Sequence, residues 1–105
     1  MNEQADNTAH RVAVEGELDV DNVPARLKHS ADWFEKNGAT VIDLAEVTRA
    51  DSAGVALLLE WIRDAEQAGS TLRFVNAPEQ MRAIINFCGL DEVIALDEPS
   101  ANAVA

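Results

Sequence analysis

Two short apolar runs, Thr40–Leu44 and Thr71–Val75, bracket a stretch of helical periodicity, and this arrangement constrains the fold more than any other feature. The runs are rich in Val, Ile, Leu and Phe and read as strands. Between them Val55, Leu58, Leu59 and Ile62 recur at helical spacing, and Gly69 closes the pattern. A strand, a helix and a strand joined by short links favour parallel pairing in an α/β layer. The flanking sequence extends the alternation. Arg11–Glu15 alternates polar and apolar side chains as a half-buried strand does, and Gly16 allows a bend. Asp19, Asp21 and Asn22 are capping residues, Pro24 suits a first turn, and Val23, Leu27, Ala31 and Phe34 predict a helix over 23–37 that stops at Gly38. Pro78 opens a third helix, with Met81, Ile84, Ile85 and Cys88 inward and Gly89 at its end. Val93–Leu96 reads as a last short strand.

The expectation is therefore an α/β fold: a small mixed sheet of four to five strands with helices packed on one face. Met1–Asn7 is polar and reads either as a mobile segment or as a fifth, edge strand. The 105 residues suit one domain, residues 1–105, with its core in about 11–96, a polar N-terminus and a loose tail over Asp97–Ala105.

The formal net charge is −11. A surface so acidic repels a phosphate backbone and an anionic bilayer, which argues against nucleic acid and against direct membrane insertion, and favours a protein partner with a basic face. Cys88 is the only cysteine, so no internal disulfide can form, and the usage suits a reducing cytosol. The N-terminus lacks the basic-then-apolar order of a signal peptide. The longest apolar run, Val55–Leu59, falls far short of the roughly 18–20 residues a membrane-spanning helix needs.

Chemistry has few candidates. Neither a phosphate-binding loop nor a dinucleotide fingerprint is present. His10 and His29 are the only histidines, and no cysteine, histidine or acid spacing resembles a metal site, so neither cofactor nor metal is expected. Ala50-Asp51-Ser52-Ala53-Gly54 is one residue short of the G-x-S-x-G nucleophile elbow, and it sits in the right strand–turn–helix context. The first glycine is alanine, however, and both histidines precede the serine, whereas the hydrolase order places its histidine last. Asp43 and Asp51 could form a carboxylate pair, but a strand end and a cap account for them more simply. No catalytic residue is assigned. For Ser52, two readings remain. Asp51 or Ser52 caps the second helix, worth about 1 kcal/mol. The helix tip, with its partial positive charge and small neighbours Ala53 and Gly54, is also open to a partner or to a phosphate on Ser52.

The motifs G-E-L-D at 16–19, V-I-D-L at 41–44, D-S-A-G-V-A-L-L-L at 51–59, N-A-P-E at 76–79 and C-G-L at 88–90 resemble the STAS domain family, the sulfate transporter and anti-sigma factor antagonist domain. The match runs from about Arg11 to Leu96. Within the family, the stretch from Val47 to Gly69 is most similar to the STAS subunit of Mla-type phospholipid ABC transporters. That resemblance implies a non-enzymatic cytoplasmic subunit, peripheral to the inner membrane through its complex. It would bind the ATPase subunit of the transporter, two copies per complex, and support assembly and activity in maintaining outer-membrane lipid asymmetry. The hydroxyl residue at the Ser52 position would lie at the ATPase contact. Ala50 and Ala53 depart from the larger residue and the glycine or serine that are usual there. The alternative within the family is an anti-sigma factor antagonist, switched by phosphorylation of Ser52.

The expected partner surface is Asp51, Ser52, Ala53, Gly54, Leu57 and Trp61. Leu57 and Trp61 are four residues apart and lie away from the Val55–Leu59–Ile62 face, so they either anchor a partner or pack against a neighbouring helix of the same domain.

Overall fold

The structure is a computed structural model, and it describes residues 10–97. The expected edge strand at Met1–Asn7 and nearly all of the tail expected over Asp97–Ala105 lie outside the described residues. Six elements follow in order: β1 (His10–Leu18), α1 (Val23–His29), β2 (Ala39–Ala50), α2 (Ser52–Ala68), β3 (Thr71–Val75) and α3 (Glu79–Phe87). The sheet has three strands in the order β1-β2-β3, and both pairings are parallel. The expectation of a mixed sheet of four to five strands is corrected on both counts for the described residues.

The missing fourth strand has a local cause. Val93–Leu96 contributes one parallel bridge, between Leu96 and Phe74. Its first half is spent on a turn, in which the amides of Val93 and Ile94 both donate to the Leu90 carbonyl. Ile94 is turned into the core, where it is 1% exposed. A backbone committed to a turn cannot run on as a ladder.

The second strand differs in the other direction. It continues for six residues past Leu44 to Ala50. Between the pairs Ala13–Asp43 and Glu15–Glu46, β2 spends one residue more than β1, and it does so again between Gly16–Val47 and Glu17–Arg49. These are β-bulges, each leaving one residue of β2 without a partner. They explain the inward positions Thr40, Ile42, Leu44, Val47 and Ala50, whose spacing changes from two to three residues. The pleat is intact, but its period in the sequence is not.

The first helix is shorter than its periodicity predicts. α1 covers seven residues, and Ser30 ends it, its amide bonded to the Arg26 carbonyl and its hydroxyl donating to Leu27 O at 3.1 Å. The apolar residues beyond it, Trp33 and Phe34, still pack on the core from irregular backbone. α2 has strong punctuation at both ends. Asp51 caps it, and Gly69 closes it at φ 69°, with the Ser70 amide returning to Ala65 O.

Side chains on one face of the sheet, among them Val14, Leu18, Ile42, Leu44 and Phe74, form the core with α2 and α3. The opposite face sets the charged Arg11, Asp43 and Arg73 beside Ala13, Val41 and Val75. Asp43 is central to it. Its carboxylate accepts from the Ala45 amide at 2.9 Å, from Asn76 Nδ2 at 3.0 Å and from Arg11 Nη2 at 2.9 Å, so one residue ties all three strands together at this face. The Ala45 amide above all, then Asn76 and Arg11, hold its carboxyl below the usual carboxylate range.

Candidate functional site

All three strands run in one direction, so their C-terminal ends meet on one side of the domain. In open α/β sheets that end is the usual place for ligands. Here it carries Asp19 after β1, Asp51 and Ser52 after β2, and Asn76 after β3. Three contacts draw the ends together. The Asp51 amide donates to the Leu18 carbonyl at 3.2 Å, and the Ala50 amide donates to Gln80 Oε1 at 3.2 Å, which brings in the first turn of α3. The third is Gly54. A Cβ placed there would stand 2.9 Å from both Leu18 Cβ and Leu18 O, and 3.2 Å from Ala50 Cβ. Only glycine lets the first turn of α2 sit this close to the end of β1.

Asp51, not Ser52, is the cap. Its backbone is extended, and its Oδ1 accepts from the Ala53 amide at 2.8 Å and from the Gly54 amide at 3.3 Å. Ser52 is exposed, and its hydroxyl makes no hydrogen bond among the described residues. This arrangement corrects two expectations about the tip. Gly54 is buried and serves internal packing, so it does not open the surface to a partner. The amides of Ala53 and Gly54 are already engaged by a carboxylate, so they are not waiting for a phosphate.

The neighbouring depression, lined by Glu17, Leu18, Asp19, Arg49, Ala50 and Asp51, measures about 20 Å³, room for little more than a water molecule. His10 lies at the opposite end of β1, with Nδ1 3.3 Å from the Trp33 carbonyl oxygen, and His29 meets the ring of Trp33 edge-on at 6.4 Å. Neither is placed to activate Ser52. Among the described residues no cluster of three or more histidine, cysteine or acidic side chains could hold a metal ion. No helix among them is long and apolar enough to cross a membrane.

Leu57 and Trp61 are not surface anchors. Both are fully buried, at 0% exposure. Trp61 Nε1 donates to Ser30 Oγ at 2.8 Å, and its ring lies 5.2 Å from that of Trp33 with a 34° tilt. The segment after α1 therefore covers the very face of α2 that sequence periodicity left without a partner. The two readings of this pair resolve in favour of packing within the domain. Of the expected partner surface, Asp51 and Ser52 remain exposed, Ala53 is half-buried, and Gly54, Leu57 and Trp61 are interior. Arg49 and Gln80 were not anticipated at the tip. The first becomes visible only once β2 is known to reach Ala50, and the second only once α3 is placed.

Solved structures share this architecture at low sequence identity. A sulfate transporter family protein from Wolinella succinogenes superposes with a TM-score of 0.68 at 19% identity, over 84% of this chain and 72% of that one. An anti-sigma factor antagonist candidate from Thermotoga maritima gives 0.71 at 18%, over 90% and 84%. The anti-sigma factor antagonist SpoIIAA in its unphosphorylated form gives 0.61 at 22%, over 91% and 84%. Each likeness concerns the fold. No curated protein matches the chain in sequence. The family model described as "Mlab, STAS domain" matches residues 1–96, and the chain belongs to that family of STAS domains.

Proposed function

We propose that this chain is a non-enzymatic docking subunit of a phospholipid-transport ABC complex, and that it binds the cytoplasmic ATPase through the first turn of α2. The observation that carries the reading is Ser52: an exposed hydroxyl with no partner among the described residues, held at the tip by the Asp51 cap and the close packing of Gly54. Membership of the family described as "Mlab, STAS domain" supports the choice of complex. The depression beside Ser52 measures only about 20 Å³, which favours a macromolecular partner over a small-molecule substrate. Glu17, Asp19 and Asp51 line the depression at the tip with Arg49 as the one cation among them, and the acidic excess favours a partner face rich in arginine and lysine, with association that slows as salt rises. On this reading the subunit is peripheral to the inner membrane, with one copy on each of two ATPase subunits.

Ser52→Arg tests it. The substitution is exposed and leaves the cap intact, so stability should change by no more than about 0.5 kcal/mol. Affinity for the purified ATPase, measured by calorimetry, should fall at least tenfold. Unchanged affinity refutes the placement.

A second reading, an anti-sigma factor antagonist, draws on the same exposed hydroxyl, which a kinase could reach. A phosphate there would add about −1.5 to −2 charges beside the Asp51 carboxylate, with the nearest amides already occupied. Intact mass after incubation with cell extract and ATP separates the readings. A gain of one phosphate favours the switch, and an unmodified chain favours the docking subunit.

A further inference from the structure

The most exposed large apolar side chain among the described residues is Phe87, at 91%. It stands at the end of α3. Met81 and Ile85 turn the inner side of that helix into the core, at 0% and 2% exposure. On its outer side Gln80, Ala83, Ile84 and Phe87 follow at i, i+3, i+4 and i+7, so they share one stripe. Ile84 is half-buried and the other three are exposed. The stripe carries no charge, in a chain whose formal net charge is −11. The charged residues of α3 are Glu79, in the first turn, and Arg82. Arg82 projects about 160° around the helix from Gln80 and Ile84, and it donates to the Asp97 carbonyl at 3.0 Å. The chain therefore reaches Asp97 on the side of α3 turned away from the stripe.

The stripe begins at the docking tip. Gln80 Oε1 accepts from the Ala50 amide at 3.2 Å, two residues before Ser52. Phe87 follows Gln80 by seven residues, about 10 Å along the axis. A stable protein–protein contact covers about 800 Å² on each partner. Exposed Ser52 and half-buried Ala53 supply a small part of that, so a partner seated on the tip must run on over a neighbouring surface. On the β1 side that surface holds Glu17 and Asp19. On the α3 side it is uncharged and ends in an aromatic ring, and interface centres are depleted in charge and enriched in aromatic side chains. A second copy is disfavoured as the occupant, because two chains of −11 repel each other. We infer that the α3 stripe is the apolar half of the ATPase docking surface, with Phe87 as its anchor in an apolar pocket of that partner. The inference rests on the docking reading of Ser52 and adds a second contact to it.

Calorimetry with the purified ATPase tests it, on Phe87→Ser and Ser52→Arg in parallel. Phe87→Ser should weaken binding at least tenfold, as loss of an apolar anchor does, with the midpoint of urea unfolding unchanged. The contact is apolar, so the ratio of wild-type to variant affinity should stay constant from low to high salt while both affinities fall. Lost binding in Ser52→Arg with wild-type affinity in Phe87→Ser overturns the inference and leaves the docking reading standing. Wild-type affinity in both overturns the docking reading as well. A lowered urea midpoint in Phe87→Ser also overturns the inference, because the ring is then covered within its own chain. An independent measurement places the photoreactive analogue benzoylphenylalanine at position 87. Irradiation of the complex should join that position to the ATPase. A cross-link to a second copy, a cross-link to residues 98–105 of the same chain, or no ATPase adduct overturns the proposal.

Discussion

The first turn of α2 and its middle belong to one helix, yet they meet opposite fates. Both carry residues that sequence patterning marks as contacts. At the first turn, Asp51 satisfies two loose amides and Gly54 anchors the backbone, which leaves Ser52 exposed and without a partner among the described residues. Two turns later, Leu57 and Trp61 are sealed beneath the chain that follows α1. The difference shows that an apolar residue off the main helical face marks a surface only if no other part of the chain returns to cover it. Here the cover is irregular backbone, which has no periodicity to announce it.

Substitutions at the two places should separate by size and kind. Trp61→Ala removes a buried ring, its stacking on Trp33 and its bond to Ser30, and should cost about 3–5 kcal/mol in urea denaturation. A Trp61→Ala variant that kept its stability but lost the ATPase would restore the surface reading. Gly54→Ala forces a methyl group to within 2.9 Å of Leu18 O and should cost about 1–3 kcal/mol by the same measurement. Asp51→Ala frees two amides and should cost about 1 kcal/mol, with Asp51→Ser recovering most of it. The smallest effect lies off α2 and serves as a control. The carboxyl of Asp43 is held below its ordinary 3.8, so its contribution is complete above that value and is lost as pH falls through the lowered folded value. Stability curves in that acid range should flatten in Asp43→Asn, while Ser52→Ala keeps the wild-type slope there.

How legible was the rest? The α/β order, the parallel core strands and the stops at Gly69 and Gly89 follow from periodicity and punctuation alone. The capping role of the Asp51–Ser52 pair was legible too, although only the structure decides between the two residues. The lost information has specific causes. Two bulges stretch the inward positions of β2 from a spacing of two to three, so residues 45–50 read as a loop. Ser30 ends α1 while apolar residues continue at helical spacing, so the helix looked twice its length. Ile94 is apolar because it fills the core from a turn, not because it lies in a strand. Phe34 packs on the core as its spacing implies, though not from a helix, whereas Ala31 on the same expected face is exposed, and so is Cys88, expected inward at the end of the third helix.

The pairing of Trp33 with Trp61 has a practical consequence. These are the chain's two tryptophans, and their rings lie 5.2 Å apart. Intrinsic fluorescence therefore reports on one spot, the seam where the segment after α1 lies against α2. A change in emission during heating or binding registers that seam opening or tightening, and a ligand that touches only the helix tip leaves the spectrum as it was.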